Sequence, residues 1–210
     1  MSSGPIRVGR LLARTDAEGP GTRAAVWVQG CTIRCPGCFN PHLWTARGGA
    51  DHTPDELAAW VDPGVEGVTL LGGEPFDQAG PLARFAKLIR ARGQTVMTFT
   101  GHRVEDLRAG GDPAAAALLD QTDLLVDGPF LRDRLDVDRP WVGSRNQRFH
   151  ALTPRYAGLV ADLASGPGDR LEIRVSPDGR VSVNGWATEA GLDVVLDGLG
   201  RTRGRPDPRR

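Results

Sequence analysis

Cys31, Cys35 and Cys38 form a C-x3-C-x2-C loop, and they are the only cysteines in the 210 residues. Three thiolates on so short a loop can surround one metal centre, and thiolates suit zinc and iron–sulfur clusters. A 4Fe–4S cube has four irons, each wanting a protein ligand. Three cysteines leave one iron over, and an open position on a metal is where a substrate or cofactor can bind. Zinc is the alternative, because His42 follows Cys38 by four residues and would complete a Cys3His set. Zinc modules, however, usually draw their ligands from two separated pairs. Plain surface thiols are the third reading. An odd, clustered set with no cysteine left for a disulfide argues for a reducing compartment.

A second group of chemistry-bearing residues lies downstream. Gly72-Gly73-Glu74-Pro75 follows the apolar run Gly67–Leu71. Glycines let a backbone approach a ligand closely, and Glu74 is able to accept from an ammonium group. The plain alternative is an ordinary turn between strand and helix. Thr98, Thr100 and Asp127 fall near the ends of later apolar runs, and strand ends on one face are where βα folds build sites. For each of these residues a capping or turn role is the competing reading.

The elements that must position these residues follow from the pattern. Arg7–Arg14 and Ala24–Gln29 read as strands, the second leading straight to Cys31. Thr53-Pro54-Asp55-Glu56 is a capping box with proline in the first turn, which predicts a helix start. Gly67–Leu71, Thr95–Thr100 and Asp123–Asp127 read as buried strands. Leu82, Phe85, Ala86 and Ile89 mark a helix face, and Asp112-Pro113 opens another helix. Strand and helix thus alternate from Ala24 to Asp127, which predicts βα units on a parallel sheet. Arg132–Arg139 alternates in charge and reads as a solvated loop. Ser176-Pro177-Asp178-Gly179 between two β-rich runs predicts a hairpin. Leu192, Val195, Leu196 and Leu199 predict a last helix, and residues 201–210 a disordered basic tail.

Composition narrows the class. Lys plus Arg is 26 and Asp plus Glu is 26, so the formal net charge is zero. No global electrostatic pull toward nucleic acid or a membrane surface follows. No apolar run is long enough to span a bilayer, and Met1–Pro5 lacks the features of a signal peptide. A cytoplasmic location is expected.

The cysteine spacing, with Phe39-Asn40 after it, resembles the radical S-adenosylmethionine signature. In particular it is similar to the small activating enzymes of glycyl-radical enzymes. Gly19-Pro20-Gly21-Thr22-Arg23, Cys35-Pro36-Gly37-Cys38-Phe39-Asn40, Leu71-Gly72-Gly73-Glu74-Pro75 and Phe99-Thr100-Gly101-His102 resemble that branch in order along the chain. So do Leu125–Phe130 and Trp141–Arg148. Phe39 replaces a common Tyr, and Pro129 a common Lys.

The resemblance implies one 4Fe–4S cluster on Cys31, Cys35 and Cys38, with S-adenosylmethionine on the open iron. Reductive cleavage would give a 5′-deoxyadenosyl radical that takes a hydrogen atom from the substrate. It further implies that Gly72, Gly73, Glu74, Pro75, Asn40, Thr98, Thr100 and Asp127 serve the cofactor, and that no side chain of the protein is itself the catalyst. The expected protein substrate is a glycyl-radical enzyme, and the expected electron donor a flavodoxin or ferredoxin. A radical enzyme acting on a peptide or small molecule is the alternative, and a cluster-sensing or metal-binding module the non-enzymatic one.

The expected fold is α/β, an incomplete parallel (β/α)6-type barrel over residues 1–150. A hairpin–helix appendage over 151–200 and the tail would follow.

Overall fold

The structure is a computed structural model describing residues 4–163, 171–175, 179, 181–185, 193–194 and 197. The predicted last helix and the basic tail therefore lie outside the described residues, apart from three positions.

The elements in chain order are β1 (Ile6–Thr15), β2 (Arg23–Val28), β3 (Ala50–His52), α1 (Pro54–Trp60), β4 (Gly67–Gly72) and α2 (Ala79–Arg90). Next come β5 (Thr95–Phe99), α3 (Val104–Ala109), α4 (Pro113–Gln121), β6 (Leu124–Asp127) and β7 (Arg148–Ala151). The last are α5 (Ala157–Asp162), β8 (Leu171–Val175) and β9 (Val181–Gly185). The predicted capping box is present: Thr53 accepts from the Glu56 N–H while the Glu56 carboxylate accepts from the Thr53 N–H.

Seven strands form one sheet in the order β3-β1-β2-β4-β5-β6-β7. The fold is mixed α/β with a largely parallel sheet: β2, β4, β5 and β6 run parallel. β1, β3 and β7 add antiparallel, which corrects the expected run of about six parallel strands. For β1 the reason is connection length. β1 reaches β2 through a short turn, and only a crossover of a dozen or more residues, usually helical, returns a chain parallel. β8 and β9 form the predicted hairpin as a separate two-stranded sheet.

Strand alternation gives the sheet two different faces. Val26, Val28, Val68, Leu70, Val96 and Leu125 pack against Leu57, Leu82, Phe85, Ile89 and Leu118 of α1, α2 and α4. The residues between them in sequence point the other way. There Ala25 and Trp27 pack with Leu43, while Met97, Leu124 and Val126 pack with Val142 and Tyr156. Helices α1, α2 and α4 thus cover one face, and the other is covered by loops and the short α5, which can enclose a cleft.

Arg23 is fully buried beneath this second face. Its guanidinium donates to the Thr69 and Thr95 hydroxyls, to Tyr156 Oη and to the Val68 carbonyl. Burial lowers its pKa, and these acceptors satisfy the charge that burial would otherwise penalise. Arg23 thereby ties the segment after β7 to the parallel strands.

Candidate functional site

β2 delivers the chain to the cysteine loop, and the loop is pinned at its start. The Gly30 N–H donates to the Leu43 carbonyl and the Cys31 N–H to the Trp44 carbonyl, at 2.8 and 3.1 Å. The buried Gln29 amide donates to the Thr45 carbonyl at 2.6 Å. Thr32 donates through both its N–H and its hydroxyl to the Asp77 carboxylate, each at 2.8 Å. Left-handed backbone at Arg34 (φ 52°) and Gly37 (φ 80°) turns the loop. A Cβ at Gly37 would stand 2.9 Å from Cδ of the exposed Arg132, a side chain able to shift, so it is the left-handed backbone that calls for glycine there.

All three cysteines are half-buried, while Thr32, Arg34, Pro36 and Gly37 between them are exposed. All three line one cleft of about 1190 Å³. Burial pushes the Cys31 thiol up. Cys35 is raised by burial first and by Cys38 and Cys31 next, so the three groups feel one another. A metal centre binding here would displace thiol protons.

The same cleft is lined by Gly72, Gly73, Glu74, Asn40 and Thr100. The two glycines also let backbone approach backbone. A Cβ on Gly73 would lie 2.0 Å from the Gly30 carbonyl oxygen, and one on Gly72 (φ 106°) 2.7 Å from Trp27 Cα. They let the end of β4 press against the end of β2. The Gly73 N–H donates to the Val28 carbonyl and the Glu74 N–H to the Gly30 carbonyl, both at 2.8 Å. The Gly-Gly pair is thus fastened directly to the start of the cysteine loop.

Glu74 is 1% exposed, and its carboxylate accepts from three donors. These are the Phe76 N–H, the Thr100 hydroxyl and the Gly101 N–H, each at 2.9 Å. Burial nevertheless outweighs these bonds and pushes its pKa up to about 7. Pro75 is buried at the first position of the short 3-10 turn Pro75–Gln78 and is outside the cleft lining. The Asn40 N–H faces Cys38 Sγ at 3.4 Å.

Thr98 and Asp127 are not brought to the cleft. Alternation puts Thr98 on the helix-covered face with Val96, where its hydroxyl meets Thr122 Oγ1 at 3.0 Å. Asp127 shares that face with Leu125. It accepts from the Val104 N–H at 2.7 Å, capping α3, and pairs with Arg148 at 2.5 Å. Burial raises the Asp127 carboxyl, but Arg148 and the Val104 N–H outweigh it and hold the pKa below the usual range. His150 Nε2 lies 3.1 Å from Asp127 Oδ1 without hydrogen-bond alignment.

Residues that sequence reasoning passed over also build the site. Asp77 pins Thr32, and Arg132 packs over Gly37. Phe39 and Phe130 pack with centroids 4.9 Å apart and planes tilted by 57°, and they line the cleft with Trp141. The supposedly solvated loop after Leu131 is organised by Asp136, 3% exposed, which accepts from Arg139 Nε at 2.7 Å. Arg139 in turn donates to the Gln147 carbonyl.

The donor set fits an iron–sulfur cluster. Three thiols enter one cleft, and the fourth member of a Cys3His zinc set is misplaced: His42 is exposed and outside the cleft lining. Among the described residues no three His, Cys, Asp or Glu groups are near enough to share a single metal ion.

Comparisons with known proteins agree with this donor set. Residues 17–150 match the family described as a 4Fe-4S single cluster domain. The anaerobic ribonucleoside-triphosphate reductase-activating protein of Escherichia coli K12 is 33% identical over 145 residues, 64% of this chain and 92% of that protein. The protein of that name from Vibrio cholerae is 32% identical over 146 residues, 65% of this chain and 92% of the relative. That of Enterobacteria phage T4 is 30% identical over 152 residues, 69% of this chain and 93% of the relative. Among solved structures, QueE from Escherichia coli aligns with a TM-score of 0.40 and 16% identity, over 46% of this chain and 52% of that chain. This chain therefore belongs to the radical S-adenosylmethionine 4Fe–4S single cluster domain family, in the branch of the anaerobic ribonucleoside-triphosphate reductase-activating proteins.

Proposed function

We propose that this chain generates a glycyl radical on an anaerobic ribonucleoside-triphosphate reductase, using a 4Fe–4S cluster held by Cys31, Cys35 and Cys38. One observation carries the assignment. The chain's only three cysteines share a single cleft with Gly72, Gly73, Glu74 and Thr100, in a protein that spans 92% of a reductase-activating relative. When bound, the cluster and S-adenosylmethionine supply a one-electron cleavage of the sulfonium and the abstraction of a hydrogen atom from a glycine.

The residues of the chain hold and shield. The three cysteines would hold the cluster and would leave one of its irons without a protein ligand. Gly73 and Glu74 fix the neighbouring loop against that of the cysteines. Backbone and side-chain polar groups at Gly72, Gly73, Glu74, Asn40 and Thr100 orient the cofactor. Phe39, Phe130 and Trp141 keep water from the cleft, which protects a reactive species from side reactions. Thr98 and Asp127 support these positions from the helix-covered face of the sheet, and Pro75 does so by opening the turn that follows Glu74. A partial barrel open toward its edges would suit a macromolecular substrate, and a flavodoxin or ferredoxin supplies the electron. A cluster on thiolates is at home in the reducing cytoplasm, and no described helix is long and apolar enough to cross a membrane.

The test is anaerobic reconstitution followed by strong reductant. The expected protein is brown, with about four irons per chain, and converts S-adenosylmethionine to methionine and 5′-deoxyadenosine. A colourless, zinc-loaded protein that leaves the cofactor intact would overturn the assignment. Cofactor cleavage without radical transfer to the reductase would favour a peptide or small-molecule substrate instead.

A further inference from the structure

The family match ends at residue 150, yet part of the chain beyond it helps to form the cleft. Asn184 and Gly185 of β9 line the cleft together with Glu18 and the three cysteines. The hairpin is anchored through its polar face. Thr15 Oγ1 donates to Glu172 Oε2 at 2.5 Å, and the Gly185 N–H donates to the Glu18 carboxylate at 3.1 Å. Register pairs Ile173 with Val183 and Val175 with Val181, so the apolar side chains occupy the opposite face.

Asn184 is 6% exposed. Its Nδ2 donates to Thr15 Oγ1 at 2.9 Å and to Glu172 Oε2 at 3.3 Å. A carboxylate only accepts, so the amide nitrogen must face Glu172. That leaves Asn184 Oδ1 buried with no partner among the described residues. A buried acceptor left unmet is costly, and at a cleft wall it is a place for a donor. The cleft, at about 1190 Å³, also exceeds the ~300–1,000 Å³ of a small-molecule site. Space remains beside a nucleotide-sized cofactor for a length of polypeptide, whose backbone presents N–H donors.

We propose that the β8–β9 hairpin is the wall of the cleft that reads the partner protein, with Asn184 Oδ1 accepting a backbone N–H of the extended segment that carries the target glycine. Asn184 is then a specificity-determining residue on an element outside the family match. This inference rests on the glycyl-radical function proposed above.

The test compares the parent chain with Asn184→Leu and Glu172→Gln, each reconstituted with its cluster and assayed twice. One assay follows cleavage of S-adenosylmethionine without partner. The other follows glycyl-radical formation against concentration of the purified reductase. For Asn184→Leu the apparent KM for the reductase should rise about three- to tenfold, the loss of one hydrogen bond, with iron content and partner-free cleavage unchanged. Glu172→Gln frees the Asn184 amide to turn, and a smaller rise in the same direction is expected. An unchanged KM in both variants overturns the inference, as does loss of cluster or of partner-free cleavage, which would make the hairpin a structural brace. If the parent chain itself cleaves the cofactor but never yields a glycyl radical, the underlying function fails, and the inference with it.

Discussion

Thr100 Oγ1 donates to Glu74 Oε1 at 2.9 Å, and this bond joins the ends of two neighbouring parallel strands, β4 and β5, at the cleft. Gly101 adds its N–H to the other carboxylate oxygen. Glu74 is therefore a clamp as well as a cleft-lining group.

Replacing Glu74 with Gln puts an NH2 group against a backbone donor, either Phe76 or Gly101. The expected cost is about 1–3 kcal/mol, read by denaturant unfolding, with a fall in cofactor cleavage. The pH dependence is also fixed in sign. The folded carboxyl has a pKa of about 7 against an ordinary 4.5, so between those values the folded state binds a proton that the unfolded chain has released. In the cluster-free protein the resulting stability is full below about pH 4.5 and is lost as pH rises through 7. Glu74→Gln should flatten that slope. A parent whose stability is level across this window would contradict the burial argument.

Two glycine substitutions should behave oppositely. Gly73→Ala drives a Cβ to 2.0 Å from the Gly30 carbonyl oxygen, and a backbone obstacle does not move aside. A loss of about 3 kcal/mol or more is expected, together with failure to retain the cluster. Gly158→Ala in α5 meets nothing within 4 Å and should be neutral or stabilising by up to about 1 kcal/mol. Thermal unfolding of the pair checks both.

Asp127→Asn separates a supporting role from a cofactor contact. It weakens the pairing with Arg148 and the cap on α3, so stability should fall by about 1–3 kcal/mol. The KM for S-adenosylmethionine should stay within about twofold, because the side chain lies on the helix-covered face. A large rise in KM without destabilisation would show instead that Asp127 reaches the cofactor.

Much of this arrangement was legible in the residues alone. The cysteine triplet, the Gly-Gly-Glu-Pro segment and the βα alternation from Ala24 to Asp127 are local patterns, and local patterns survive folding. Thr98 and Asp127 are expected cofactor residues that the structure keeps out of the cleft lining. Both sit near strand ends, but period-2 alternation fixes their faces, and counting from Val96 and Leu125 puts them among the helices. Helix α3 escaped notice because its first N–H, that of Val104, is capped from afar, by Asp127 rather than by a residue next to it. β3 and β7 are short and carry no strong apolar alternation, so only pairing with β1 and β6 defines them. Asn184 reaches the cleft through Thr15, a tertiary contact that no spacing encodes.

Replacing any one of the three cysteines by Ser should leave the chain folded, because each is half-buried on a loop rather than in the core. Circular dichroism should match the parent, while anaerobic reconstitution gives little or no stable cluster and no cofactor cleavage. Full iron content in all three variants would mean that other groups hold the metal.

The central claim is most directly tested by electron paramagnetic resonance on the reduced, reconstituted protein mixed with S-adenosylmethionine and anaerobic ribonucleoside-triphosphate reductase. The doublet of a glycyl radical on the reductase, dependent on all three components and absent with the Cys35→Ser variant, is the predicted result. A spectrum without that doublet, from a mixture in which the cofactor is nonetheless consumed, would contradict it.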